Sequence, residues 1–198
     1  LDIGTGANLV YPLAGTSEYN WHFTGSDVDP VSVKIAKQIA QFNALKITVK
    51  LQKKPANIFK GVINQKDLYH LTLCNPPFHA SEQEAKKGSE RKWKNLGKAP
   101  SKTLNFGGNN NELWCEGGEV QFITTMIAES EEFAQQVLWF TSLVSKKDSL
   151  SALEAKLKTY PIAEYKIIDM AQGQKVSRFL AWSYFDKETR EQICNELD

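Results

Sequence analysis

Asn75-Pro76-Pro77-Phe78 is the segment of this 198-residue chain whose residue types and order come nearest to a reaction centre. An exocyclic amine on a base is a poor nucleophile, because its lone pair is delocalised into the ring. The Asn75 side-chain oxygen and the Pro76 carbonyl are two acceptors for such an NH2. Fixed in place, they draw the nitrogen towards tetrahedral geometry and aim its lone pair at an electrophile. The prolines have little conformational freedom to lose, so the clamp is preorganised. Phe78 adds a face on which a base stacks, worth roughly 1–3 kcal/mol. No strong general base is required, since the alkylated amine sheds its proton readily. Alone, Asn-Pro-Pro is also an ordinary turn after a strand, so its meaning depends on what surrounds it.

Asp2-Ile3-Gly4-Thr5-Gly6 supplies the other half of a transfer reaction. Two glycines flanking one residue permit positive φ and close approach of a ligand to the backbone. Any strand-to-helix turn can carry two glycines. A dinucleotide fingerprint needs a third glycine at position 9, where Leu9 stands. A donor without phosphates fits better, and S-adenosylmethionine (SAM) is the leading candidate. Asp27 follows roughly 20 residues later, where an acidic side chain accepts both ribose hydroxyls. Asp2 is expected to order the turn and to face the donor's ammonium group.

These motifs need a frame, and hydrophobic period supplies one. Strands are expected over residues 1–3, 21–26, 47–51, 69–74, 137–144, 162–170 and 178–185. Helices are expected from about residue 7, kept short by Pro12, from Asp29-Pro30 with an acidic cap, over 119–135, and near a capping box at Ser151–Glu154. The second helix places Val31, Ile35, Ile39 and Phe42 on one face, and the third places Val120, Ile123, Ile127 and Phe133 in the core. Alternating strands and helices imply an α/β fold, an open sheet of seven mostly parallel strands with helices on both faces. The glycine turn, Asp27 and Asn75–Phe78 then share one edge of the sheet, beyond the strands' carboxyl ends.

The chain fits a single domain, residues 1–198, and its start inside a strand predicts a missing N-terminal segment. Composition is ordinary, with 41% apolar and 24% charged residues and a net charge of +1. No apolar run approaches the ~20 residues of a membrane span. Cys74, Cys115 and Cys194 form no CxxC pair, which favours a reducing, cytoplasmic setting and argues against zinc. Cys74 and Cys115 read as inert, although a cysteine nucleophile serves other methyl transfers. His22, His70 and His79 lack ligand spacing; His79, beside the clamp, is placed to touch substrate.

Residues 79–118 have no sustained period and are far longer than an ordinary connection, which predicts a substrate-binding insertion. Lys86, Lys87, Arg91, Lys92, Lys94, Lys98 and Lys102 cluster there with Trp93 among them and Glu90 as the lone acid. On a nearly neutral chain that asymmetry is a local signal for a phosphate backbone, although a solvated loop carries the same charges. Lys175 and Arg178 extend a basic rim.

Asp2–Asn8 with Tyr11-Pro12-Leu13, Cys74–His79, Gly88–Lys92, Asn105–Gly108, Glu112–Glu119 and Ala171–Lys175 together resemble the bacterial large-subunit rRNA adenine-N6 methyltransferase F family. More distantly, the chain is similar to the eukaryotic enzymes that methylate adenine in small nuclear and messenger RNA. The resemblance implies a Rossmann-like class I methyltransferase that uses SAM on the N6 of one adenine in large-subunit (23S) ribosomal RNA. It assigns Asn75, Pro76, Pro77 and Phe78 to catalysis. It assigns Asp2, Gly4, Thr5, Gly6, Asn8, Asp27 and Val28, with Asn75, to the SAM site. Lys86, Lys87, Arg91, Lys92, Trp93 and Lys94 are the expected RNA contacts. The partner is then ribosomal RNA or a ribosomal assembly intermediate, met by a monomer without metal. Rival readings are a protein-glutamine methyltransferase, whose acceptor is also a planar amide, a DNA adenine methyltransferase, and a non-catalytic RNA-binding module.

Overall fold

Short apolar runs separated by helical segments pair in parallel here, as expected for strands joined by crossovers. The computed structural model describes residues 1–81, 83–84, 114–172 and 175–197. Within them the order is β1 (Asp2–Ile3), α1 (Val10–Tyr19), β2 (Phe23–Asp27), α2 (Pro30–Phe42), β3 (Ile47–Leu51), β4 (Tyr69–Leu71) and β5 (Leu73–Cys74). There follow α3 (Gly118–Ser130) with a 3-10 turn at Glu131–Phe133, β6 (Val137–Val144), α4 (Ser149–Leu157), β7 (Glu164–Gln172), β8 (Lys175–Ser183) and α5 (Lys187–Leu197).

Strands β3-β2-β1-β5 form one all-parallel sheet. Strands β4-β6-β8-β7 form another, in which β4 and β6 are parallel and β8 runs antiparallel to both its neighbours. The expected single seven-stranded sheet is therefore replaced by two four-stranded ones. The cause is Thr72, which divides the strand expected over 69–74. Its N–H donates to the Trp139 carbonyl at 2.8 Å, but its hydroxyl then accepts from the Thr141 N–H at 3.1 Å. The Thr141 hydroxyl in turn donates to the Thr72 carbonyl. Side-chain groups take the place of the next backbone rung, and pairing passes from β6 to β1, where Leu73 N–H donates to the Leu1 carbonyl at 2.7 Å.

The helices differ from expectation in instructive ways. Asp29 caps α2 through Val31 N–H (3.3 Å) and Ser32 N–H (3.0 Å), with Pro30 at the first helical position. Of the expected face Val31, Ile35, Ile39 and Phe42, Ile39 packs partly against the core while Val31, Ile35 and Phe42 point outward, Phe42 being 90% exposed. Val33, Ala36 and Ala40 are the buried side, because small residues let the helix sit close to β2 and β3. Helix α1 starts later and runs longer than expected, since Pro12 falls in the first turn, where its missing N–H costs nothing. The capping box at Ser151–Glu154 is not a helix start: α4 begins at Ser149, and Glu154 accepts from the Tyr165 hydroxyl at 3.2 Å. Helix α5 was not expected from the sequence; the signal for it was Asp186, whose carboxylate caps it by accepting from Thr189 N–H at 2.8 Å.

Two apolar clusters share no residue. Leu9, Val33, Ala36, Ala40 and Val49 hold α1 and α2 against β2 and β3. The larger one gathers Ile123, Met126 and Ile127 of α3 with Phe140, Leu153, Leu180, Trp182 and the irregular stretch Ile58–Ile63. That stretch has no strand partner for its first amides. Buried Glu129 serves instead, accepting from Ile58 N–H (2.9 Å), Phe59 N–H (2.7 Å) and Lys60 N–H. Among the described residues no helix is long and apolar enough to cross a membrane.

Because Phe42 is solvated and Ile127 is fully buried, their truncations should differ sharply. Phe42→Ala is expected to change the unfolding free energy by under about 0.5 kcal/mol, and Ile127→Ala to cost about 2–5 kcal/mol. Urea denaturation measures both; comparable losses would contradict the packing described.

Candidate active site

Strand β1 is flanked on both sides. Asp2 stands opposite Gly25 of β2 and Leu73 of β5, and Ile3 opposite Ser26 and Cys74. All three strands run parallel, so the next residues emerge together: Asp27, Gly4 and Asn75. Adjacent strands are about 4.8 Å apart, which sets Asp27 and Asn75 about 10 Å apart across Gly4. The crevice beyond such carboxyl ends is the usual ligand position in open α/β sheets.

The glycine turn is tightly fastened. Gly4 and Gly6 have φ of 72° and 61°. The Gly4 and Thr5 amides both donate to the Ser26 carbonyl at 2.9 Å, and the Gly6 amide donates to Asp27 Oδ2 at 2.9 Å. Asp27 Oδ1 accepts from Asp29 N–H at 2.9 Å. One carboxylate thus braces two loops, a duty additional to the ribose contact expected of it. A Cβ on Gly4 would meet nothing within 4 Å, so the turn is open on its outer side. Gly25 was missed by sequence reasoning: a Cβ there would lie 2.9 Å from Thr5 Oγ1, so β2 must be bare where the turn packs on it. A glycine inside a strand was the available signal. Leu9 is left-handed (φ 49°) and fully buried, its strain offset by its place in the core.

The electrostatics favour a cation. Asp2 is 2% exposed, and burial first, with the nearby Asp27 charge, pushes its carboxyl up to about 7. Tyr11 of α1 is pushed up by burial and then by Asp2, which puts this phenol in the same field. Sequence reasoning had noted Tyr11 only within a motif. Burial drives the Cys74 thiol far up, so it stays protonated and is no nucleophile at neutral pH. Burial raises Cys115 as well.

On the acceptor side Asn75 is exposed, Pro76 is buried, and Pro77 and Phe78 are half-buried. Near the donor turn Asn8 is exposed and Val28 half-buried. His79 bridges to Trp114, and Cys115 N–H donates to the His79 carbonyl at 3.0 Å. Lys86, Lys87, Arg91, Lys92, Trp93 and Lys94 lie outside the described residues. Arg178 is ion-paired with Asp169 at 3.3 Å. Among the described residues the buried Trp114 Nε1, beside the clamp, lacks a hydrogen-bond partner, while the Thr5 hydroxyl, at the donor turn, interacts with the Asp2 carboxyl. No group of three or more His, Cys, Asp or Glu among the described residues is arranged to hold a metal.

Residues 1–186 match the sequence model of a family described as RNA methyltransferase. The chain belongs to this family. Two relatives are both named ribosomal RNA large subunit methyltransferase F. The one from Pseudoalteromonas translucida is 79% identical over 198 residues, covering 100% of this chain and 64% of the relative. The one from Colwellia psychrerythraea is 54% identical, covering 94% of this chain and 65% of the relative. The chain thus spans just under two thirds of these relatives. Among solved structures, the hMettl16 catalytic domain in complex with MAT2A 3′UTR hairpin 1 has a TM-score of 0.75 and 30% identity, covering 94% of this chain and 63% of that one. The N-terminal domain of human METTL16 in complex with SAH has a TM-score of 0.67 and 25% identity, covering 93% and 60%. The α/β methyltransferase fold with its parallel sheet is common to this chain and these neighbours.

Asp2 generates a pH-dependent prediction. Its carboxyl keeps a proton up to about 7 when folded and loses it near 3.8 when unfolded. Between those values the folded state binds more protons, so this group's contribution is fully present below the lower value and lost as pH rises through the upper one. Asp2→Asn should therefore gain in Tm over the wild type as pH rises across that window. Thermal unfolding measures it, and a pH-independent difference would contradict the assignment.

Proposed function

We propose that the protein transfers a methyl group from SAM to the N6 amine of one adenine in large-subunit ribosomal RNA. The observation that carries this reading is the double register of β1, which brings the glycine turn out between Asp27 and Asn75. Bound SAM supplies an electrophilic methyl on a sulfonium. Gly4, Thr5 and Gly6 allow close approach of its amino-acid end, with Asn8 alongside. Asp2 faces the ammonium; Asp27 and Val28 meet the ribose and its surroundings. The residue set suits this ligand: two carboxylates and an open glycine turn attract a cation with hydroxyls and repel phosphates.

Asn75 Oδ1 and the Pro76 carbonyl accept the two N–H bonds of the target amine, and Pro77 stiffens the clamp. Phe78 stacks on the base. As the lone pair is freed from the ring, the nitrogen would bond the methyl carbon while the carbon–sulfur bond breaks with its electron pair left on sulfur, and the methylated amine would then release one proton to water. The unpaired Trp114 indole N–H adds a donor beside the clamp. The names of the relatives support ribosomal RNA as the polymer, and the neighbours solved with an RNA hairpin and with SAH support RNA and donor. Residues 79–118, with the basic cluster Lys86–Lys94, are the proposed RNA-binding insertion in a single cytoplasmic, monomeric domain.

The test is labelled SAM with the protein and with large-subunit rRNA lacking the modification, followed by nucleoside analysis. N6-methyladenosine at one site is expected. Asn75→Ala should lower kcat by about 100-fold or more. Label on protein glutamine or on DNA, or transfer by Asn75→Ala at the wild-type rate, would defeat the reading.

A further inference from the structure

The clamp is held at both ends, and the second anchor lies 40 residues further along the chain at the start of α3. At its entry, Cys74 pairs with Ile3 in the sheet. At its exit, His79 and Ala80 run against the segment Trp114–Gly118. Cys115 N–H donates to the His79 carbonyl at 3.0 Å. Gly118 N–H donates back to the Cys115 carbonyl at 2.9 Å, and the Cys115 thiol donates to the Gly118 carbonyl at 3.3 Å. Gly118 has φ 64°, and a Cβ on it would lie 3.2 Å from the Ala80 nitrogen, 3.3 Å from its Cα and 3.4 Å from its Cβ. The helix start and the clamp exit therefore touch through a bare backbone.

The next residue fixes this corner to the sheet. Glu119 is buried, and its carboxylate accepts from Ser145 N–H at 2.6 Å, Lys146 N–H at 3.3 Å and the Ser149 hydroxyl at 2.9 Å. Ser145 directly follows β6, so Glu119 ties the corner to a strand's carboxyl end. Beyond it α3 is locked by Ile123, Met126 and Ile127 in the main core.

We infer that Gly118 and Glu119 are positioning residues for the methyl transfer: they hold the exit of the Asn75–Phe78 clamp in place without touching either reactant. This rests on the reaction proposed above. Reacting geometry tolerates little error, a displacement of about 1 Å costing on the order of 100-fold in rate. A proline pair is stiff within itself but not fixed in space unless both ends are held. The donor turn lies across β1 and is fastened by Ser26 and Asp27, so it does not depend on this corner.

The test is a kcat against SAM-affinity split in three variants, with labelled SAM and large-subunit rRNA. Gly118→Ala puts a methyl against Ala80, and Glu119→Gln replaces one accepting oxygen with a donor. Gly61→Ala is the control: its φ of 82° imposes the same left-handed strain, but the nearest atom to its added Cβ is Gln52 Oε1 at 3.9 Å, away from the clamp. Gly118→Ala and Glu119→Gln should lose about tenfold or more in kcat with SAM Kd within about twofold of wild type, and Gly61→Ala should stay within about twofold in both. Gly118→Ala behaving like Gly61→Ala, or SAM affinity falling in step with kcat, would overturn the inference while leaving the reaction intact. A wild type that binds SAM and methylates nothing would overturn the reaction itself, and the inference with it.

Discussion

In a parallel sheet the register between neighbouring strands decides which residues emerge side by side at the carboxyl edge. Here a strand of two residues sets that register in both directions. A one-residue slip on either side would turn every side chain of the slipped strand to the opposite face and separate Gly4 from its partners. The slip is opposed by burial: Leu1, Ile3 and Cys74 are packed in the main core, and Gly25 leaves room for Thr5 and for nothing larger. The site is thus specified by packing beneath the edge more than by contacts at it.

Buried carboxylates organise what the sheet does not. Asp27 gathers the amides of Gly6 and Asp29, Glu129 those of Ile58, Phe59 and Lys60, and Glu119 those of Ser145 and Lys146. Each accepts donors from backbone that has no strand or helix partner, where an unpaired buried amide would cost about 1–3 kcal/mol. Charge-assisted bonds of this kind are shorter and stronger than neutral ones. Two of the three organise loops at the reactive edge, and the third secures the core behind it. Asp2 differs: burial disfavours its charge, so it is held ready for a cation at some expense in stability.

The parts of this design that obey a local rule were legible in sequence. Asp29-Pro30 announced α2, the apolar run 137–144 announced β6 to the residue, and the two motifs predicted a shared edge. Periodicity alone misjudged α2, because Val31, Ile35 and Phe42 look like a core face while the helix buries its alanines. That choice depends on how closely the helix approaches β2 and β3, which no local pattern records. The division at Thr72 was equally hidden, since a threonine inside an apolar run gives no sign that its hydroxyl will replace a backbone rung. Nothing in the local sequence singles out Glu119 or Glu129; only their tertiary partners reveal them.

The meeting of His79 with Trp114 bears on how such a protein changes over generations. His79 and Trp114 pair directly although 34 residues separate them in the chain, so the distance that those residues must span is short. Closing a loop twice as long costs only about 0.6 kcal/mol more. Length added or removed between these two residues therefore costs the fold little, because the paired ends are fixed by backbone contact and not by what lies between them.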